Sequence, residues 1–216
     1  MARAKRMAFI SKSGVMYEKE YEFEWFMGLS LSQKQKSIRS FHGKIKNTGI
    51  ESILEVSRKG ENELGQRLSA FNLIVNINDF SSSVECLYHA SKVFKEGLNE
   101  IKFDDCLYMA PKDSKRHVNE EAINRNLKLI RFEFNGKTFK LETGSLCYDY
   151  IYILGLSQNE ELSKEILKYE AFTDIEYNQA KSVACQARAC AKYKYLYEKG
   201  LLEEFLSNPH KFIHLY

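Results

Sequence analysis

Hydrophobic and polar positions along the chain switch between a period of two and a period near 3.6. Tyr21 to Trp25 alternates Tyr, Glu, Phe, Glu, Trp, the pattern of a half-buried strand. Ser32 predicts a helix N-cap, with Ile38, Phe41 and Ile45 facing inward and Gly49 as the stop. Ile53 to Ser57 predicts a short strand. Arg131 to Leu141, RFEFNGKTFKL, predicts a hairpin: Asn135-Gly136 suits a type I′ turn, and aromatic residues alternate on both sides. From Ser145 the spacing turns helical, and Asn159 caps a further helix carrying Leu162, Ile166 and Leu167. The polar run Ala171 to Lys181, AFTDIEYNQAK, reads as a long loop of the kind that often carries function. A helix from Ser182 to Lys199 follows and stops at Gly200, and Leu201 to Tyr216 closes the chain with a helix and a tail packed by Phe205 and Phe212. The pattern predicts an α+β fold, mainly helical, with a small antiparallel sheet.

The stretch from Leu64 to Phe94, LGQRLSAFNLIVNINDFSSSVECLYHASKVF, organises the rest. It predicts a loop, a buried strand, a polar turn and a helix opened by a capping box of Ser82 and Glu85. Glu85, Tyr88 and Lys92 stand at i, i+3 and i+7, one polar stripe on one helix face, while Val84, Leu87 and Val93 suit a core. A carboxylate, a phenol and an amine so aligned make either a site or a solvated helix face.

Composition narrows the class. The 216 residues are 44% hydrophobic and 28% charged, the balance of a soluble globular protein. Two prolines and no Gly/Ser tract argue against an internal linker. Residues 1–18 are expected as an N-terminal arm in which Arg3, Lys5 and Arg6 can touch a nucleic-acid backbone, and 19–216 as one domain. A net charge of +3, from 32 basic and 29 acidic residues, does not predict nucleic-acid binding without a local basic patch. Such a patch is offered by the helix face of Lys34, Lys36, Arg39, Lys44 and Lys46. Five cysteines (Cys86, Cys106, Cys147, Cys185 and Cys190), odd in number and without C-x-x-C spacing, speak against a disulfide framework or a zinc site. With no membrane-length apolar run and no signal-peptide pattern, a cytoplasmic location is expected, without membrane association.

Other candidates are thinner. Arg58-Lys59-Gly60 follows a strand and suits a pyrophosphate, although no G-x-G-x-x-G or Walker pattern occurs. Pro111 opens a helical turn leading to Lys112, Asp113, Lys115 and Arg116. Tyr148, Tyr150 and Tyr152 can stack on a base or fill a core. Asp174, Glu176, Asn178 and Lys181 lie in the polar run, and Gln186 and Arg188 early in the helix after it.

Ser69, Phe71 and Asn72, then Glu85, Ala90 and Lys92, resemble the paired S-x-F-x and E-x-x-x-x-x-A-x-K segments of the NADAR family. The phrases LGQRLSAFNL, SVECLYHASKVF, FTDIEYNQAKS and CQAR are similar, in the same order, to the branch of NADAR antitoxins encoded beside DarT-type ADP-ribosyltransferase toxins. The resemblance implies a NADAR-like fold and a hydrolase that removes ADP-ribose from guanine in DNA, without metal or cofactor, with ADP-ribose as product. Its implied partners are ADP-ribosylated DNA and a cognate DarT-type toxin. Lys92 is the implied nucleophile, able to form a Schiff base with an opened ribose once its pKa is lowered. Glu85 orients it or shuttles a proton, and Asp174 is the second carboxylate. Arg58, Ser69, Asn72, Lys115 and Arg116 are the implied ADP-ribose ligands, with Phe71 or Tyr88 packing on a ring. One departure stands out. Many members carry a tryptophan-glycine pair after the aspartate, where this chain has Asp174-Ile175-Glu176-Tyr177, which leaves that pocket wall to another side chain such as Tyr177.

Two other functions compete: a non-catalytic module that holds ADP-ribose or the toxin, and a hydrolase of a small ADP-ribose-containing metabolite. Substoichiometric clearance of modified nucleic acid separates catalysis from sequestration.

Overall fold

The computed structural model describes residues 2–180 and 182–215. In chain order they form β1 (Ala2–Lys12), β2 (Val15–Trp25), α1 (Leu31–Lys46), β3 (Ile53–Glu55) and α2 (Glu63–Arg67). Next come β4 (Ile74–Ile77), β5 (Phe80–Ser83), α3 (Val84–Ala90), β6 (Lys92–Glu96) and β7 (Asn99–Ile101). A 3-10 turn at Asp104–Tyr108 leads to α4 (Pro111–Asn124), β8 (Lys128–Phe134), β9 (Lys137–Lys140) and α5 (Leu146–Ser157). The chain closes with α6 (Glu160–Ile166), β10 (Ala171–Thr173), α7 (Gln186–Glu198), α8 (Leu202–Ser207) and a 3-10 segment at Pro209–Leu215. The class is α+β, as the alternating periods predict. The chain divides into two compact units, one of the residues up to Ser69 with Asn159–Phe205, the other of Ala70–Gln158 with the residues from Leu206.

The first unit is built on a four-stranded sheet in the order β2-β1-β10-β3, antiparallel except where β10 runs parallel to β3. Ala2–Lys12 is therefore a strand and not an arm. The run Ala8-Phe9-Ile10 is buried because it is flanked by β2 and β10 on either side. The basic residues before it are matched across the hairpin, Arg3 to Glu22 at 3.1 Å and Lys5 to Glu20 at 3.2 Å. Ala171–Thr173, expected as loop, is the strand between β1 and β3; three residues are too few to show a period. Ile38, Phe41 and Ile45 of α1 pack with Tyr21 and Phe23 in this unit's core, as the helical spacing predicts. The cap of α1 is Ser30, whose side chain accepts the Gln33 amide, and not Ser32. The last long helix begins at Gln186, after Cys185, instead of at Ser182.

The second unit holds the β4–β5 hairpin and a second sheet in the order β7-β6-β8-β9, all antiparallel. The β8–β9 turn is Asn135-Gly136, with φ of 49° and 69°, the type I′ geometry that this dipeptide favours. Helix α5 is buried on nearly every side, so Tyr148, Tyr150 and Tyr152 are core residues. Ala90, Phe94, Phe103, Cys106 and Val118 form a further core cluster.

Candidate functional site

In the second unit, the start of α3 is held by the segment before the β4–β5 hairpin. The Glu85 amide donates to Ala70 O at 2.9 Å and the Val84 amide to Leu73 O at 3.0 Å, which satisfies groups a helix start leaves open. The side-chain cap is Ser83, accepting the Cys86 amide at 3.2 Å, while Ser82 donates to Leu107 O. The expected capping box is thus absent, and Glu85 is available to other partners. The helix ends at Ala90, where the Ser91 hydroxyl donates to Tyr88 O at 2.7 Å. Lys92 does not continue the helical stripe; it opens β6 opposite Phe132. The β-prone run Lys92-Val93-Phe94 finds a strand partner in β8, and that pairing overrides the helical period.

The turn from helix to strand brings three side chains into a chain. Lys92 Nζ lies 3.0 Å from His89 Nδ1, and His89 Nε2 lies 3.3 Å from Glu85 Oε1. With Glu85 ionised, His89 donates from Nε2 and accepts from the lysine at Nδ1, a neutral tautomer fixed by its two neighbours. Burial holds His89 below its usual pKa, against the pull of Glu85. Burial also works against the charge on Glu85, yet the His89 hydrogen bond and the Lys115 ammonium, 3.4 Å away, outweigh it and keep the carboxyl below its ordinary value. Lys92 is brought down to about 8, by burial first and with help from Lys115, against the opposing charge of Glu85. Its Nζ lies 5.1 Å from the centre of the Tyr88 ring, which stacks on Phe132 and meets Tyr148 edge-on. An amine with a lowered pKa, hydrogen-bonded to an imidazole backed by a carboxylate, is the arrangement of an activated nucleophile. His89 is absent from the sequence candidates, although its i+4 spacing from Glu85 is a visible signal.

Asp174 belongs to a different cluster, in the first unit. Glu55, 3% exposed, accepts from Ser57 Oγ at 2.7 Å, the Ile175 amide at 2.8 Å and Thr173 Oγ1 at 2.7 Å. Thr173 in turn accepts from His42 Nε2 at 2.8 Å; burial and then Lys46 bring His42 down to about 4, so the ring is a neutral donor. Burial raises Glu55, and its three donors oppose that rise. Asp174 is pushed up to about 8 by burial and then by the neighbouring Glu55 charge, while the Glu176 amide, 3.0 Å from Oδ1, and the Gln186 side chain pull the other way. Burial raises both carboxyls, and the three donors on Glu55 favour the negative charge there over Asp174. Glu55 is also absent from the sequence candidates; its signal is one carboxylate inside the apolar run Ile53-Leu54-Glu55-Val56.

The remaining candidates are dispersed. Arg58 is exposed in the loop after β3, and Ser69 is buried after α2, both in the first unit. Phe71 is half-buried and Asn72 exposed in the segment that receives the α3 amides. Lys115 reaches Glu85 from α4, whereas Arg116, one position on, is exposed and pairs with Asp113 at 2.9 Å. On the basic face of α1, Lys34 bonds Glu176 at 2.8 Å and Arg39 pairs with Glu61. Lys181 lies outside the described residues.

Among the described residues no helix is long and apolar enough to cross a membrane, and no three His, Cys, Asp or Glu side chains are grouped to hold a metal ion. No curated protein matches the chain. A family model described as DarT1-associated NADAR antitoxin matches residues 4–216, which includes both clusters. The chain belongs to the family of DarT1-associated NADAR antitoxins.

Proposed function

We propose that this antitoxin is a cytoplasmic ADP-ribosyl glycohydrolase that removes ADP-ribose from guanine bases of DNA and so reverses the modification made by a DarT-type toxin. The Lys92–His89–Glu85 chain carries the reading. With a pKa of about 8, about a tenth of the Lys92 amine is neutral at pH 7, against less than a thousandth for an ordinary lysine. The neutral amine attacks the anomeric carbon and the bond from that carbon to the guanine nitrogen breaks. The proton lost by the amine passes to His89 Nδ1, where Glu85 steadies the imidazolium, and from there to the leaving base. Opening of the ribose ring then gives a Schiff base on Lys92. Water adds to it, the carbon–nitrogen bond breaks, and ADP-ribose and the free amine return, with one water consumed overall. Asp174 is assigned as a second acid, which burial and the neighbouring Glu55 charge support by pushing its pKa up to about 8.

The test is release of ADP-ribose from a guanine-ADP-ribosylated DNA oligonucleotide, with protein far below substrate and EDTA present. Multiple turnovers are expected, together with a protein–ADP-ribose adduct on Lys92 when borohydride is added. A folded wild-type protein that releases nothing, or a Lys92→Met variant with full activity, defeats the proposal.

A further inference from the structure

We propose that the groove beside β1, β2 and the loop after β10 binds a nucleic-acid phosphodiester, with Arg6 as the anion ligand. The groove has a volume of about 400 Å³ and is lined by Lys5, Arg6, Glu20, Tyr177, Asn178 and Gln179 among others, all in the first unit. The inference rests on the reading of DNA as substrate, but concerns residues apart from the Lys92 chain.

Arg6 differs from the other cations of its strand. Arg3 is paired with Glu22, Lys5 with Glu20 and Lys12 with Glu170, whereas Arg6 makes no ion pair among the described residues. Its Nη1 donates to Lys5 O at 2.8 Å and its guanidinium carbon lies 5.3 Å from the centre of the Trp25 ring. Those two contacts fix the plane of the fork. Its Nε–H is buried without a hydrogen-bond acceptor, the kind of orphan donor that native structures rarely leave unmatched. A planar cation already oriented, without an ion pair among the described residues and lining a polar groove, is complementary to an oxyanion. Lys5 is tied to Glu20, so among the described lining residues Arg6 is the cation without an ion pair. That matches the single charge of a phosphodiester better than the double charge of a pyrophosphate. The Asn178 and Gln179 amides add neutral hydrogen-bonding groups for the adjoining sugar or base.

Trp25 is the chain's single tryptophan and touches Arg6, so its emission reports on the groove. The full chain is titrated with an unmodified single-stranded oligonucleotide at several salt concentrations, and in parallel with ADP-ribose. We expect a saturable emission change with the oligonucleotide whose affinity falls as salt rises. In Arg6→Gln, folded as judged by circular dichroism, we expect binding at least ~10-fold weaker and a salt slope lower by about one. Arg6→Lys, which keeps the charge but not the fork, should fall between. Unchanged affinity and slope in Arg6→Gln, or no emission response by the wild type at any concentration, overturns the proposal. The same saturable response to ADP-ribose alone overturns it as well, by making the groove a pyrophosphate site. Binding is read without turnover, so a failure of the hydrolase reading leaves this outcome legible, and the reverse also holds.

Discussion

Lys92 Nζ stands 3.0 Å from His89 Nδ1, so a lysine with a markedly lowered pKa also has a proton acceptor in contact. In the proposed reaction only the neutral amine attacks, and its fraction grows about tenfold per pH unit until pH reaches about 8. The value of kcat/KM should therefore rise with pH across the neutral range and level off above about 8. A profile that is flat between pH 6.5 and 9 would exclude the amine as nucleophile.

His89 joins the amine to Glu85, and its loss should be felt in the chemical step. In His89→Leu the single-turnover rate should drop by about 10²-fold or more, the usual worth of a positioned proton carrier. Stopped-flow or quench measurements at saturating protein isolate that step. A rate within a few-fold of wild type would reduce His89 to packing.

Lys92 should also cost the protein stability. Its pKa is about 8 when folded and 10.5 when the chain is unfolded, so between those values the unfolded state binds more protons and stability rises with pH. Below about 8 the lysine is charged in both states and the full burial cost applies. Lys92→Met fills similar space without charge, so at pH 7 it should stabilise by on the order of 1–3 kcal/mol while abolishing turnover. Urea denaturation at pH 7 measures it; a destabilised variant would mean that the Lys92 contacts outweigh its desolvation.

How much of this is visible in the sequence depends on the length scale of each signal. Helices with several turns, such as α1 and α5, and the Asn135-Gly136 hairpin announce themselves through period and turn chemistry. The apolar run at Ile53 marks β3 as a short strand, but the equally short β10 does not announce itself, because its partners β1 and β3 are distant in the chain and set the pairing. The same limit governs the candidate site. Helical spacing picks out Glu85, Tyr88 and Lys92, and they do lie together, but through a helix-to-strand turn and with His89 between them. Asp174 draws notice as an acid in a polar run, whereas its neighbour Glu55 is 119 positions away in the chain, and sequence distance hides the pair.

The Glu55–Asp174 pair makes a prediction of opposite sign to that for Lys92. Asp174 keeps its proton up to about pH 8 when folded and releases it near 3.8 when unfolded. Between those values the folded state binds more protons, so this group's contribution to stability falls as pH rises. Asp174→Asn keeps the shape and removes the titration. Its advantage over wild type should be small at pH 4 and grow to on the order of 2 kcal/mol by pH 8.5. Thermal melts across that range test it, and a difference independent of pH would show that Asp174 does not hold the proton.

Gly65 guards Glu55 from the backbone side. A β-carbon built on Gly65 would sit 1.9 Å from the Glu55 carbonyl oxygen, far inside contact distance, and the obstacle is backbone that no rotamer change can move aside. Helix α2 can cross β3 this closely because position 65 has no side chain. Gly65→Ala must push helix and strand apart, which disturbs Glu55 and, through its bond to the Ile175 amide, the backbone after Asp174. Overpacking of this kind costs on the order of 1–3 kcal/mol or more. A Gly43→Ala control, where nothing lies within 4 Å of the added carbon, should be neutral or slightly stabilising because position 43 is helical. Urea midpoints of the two variants decide the matter: equal midpoints would mean that α2 moves freely relative to β3 and that the close crossing is not required.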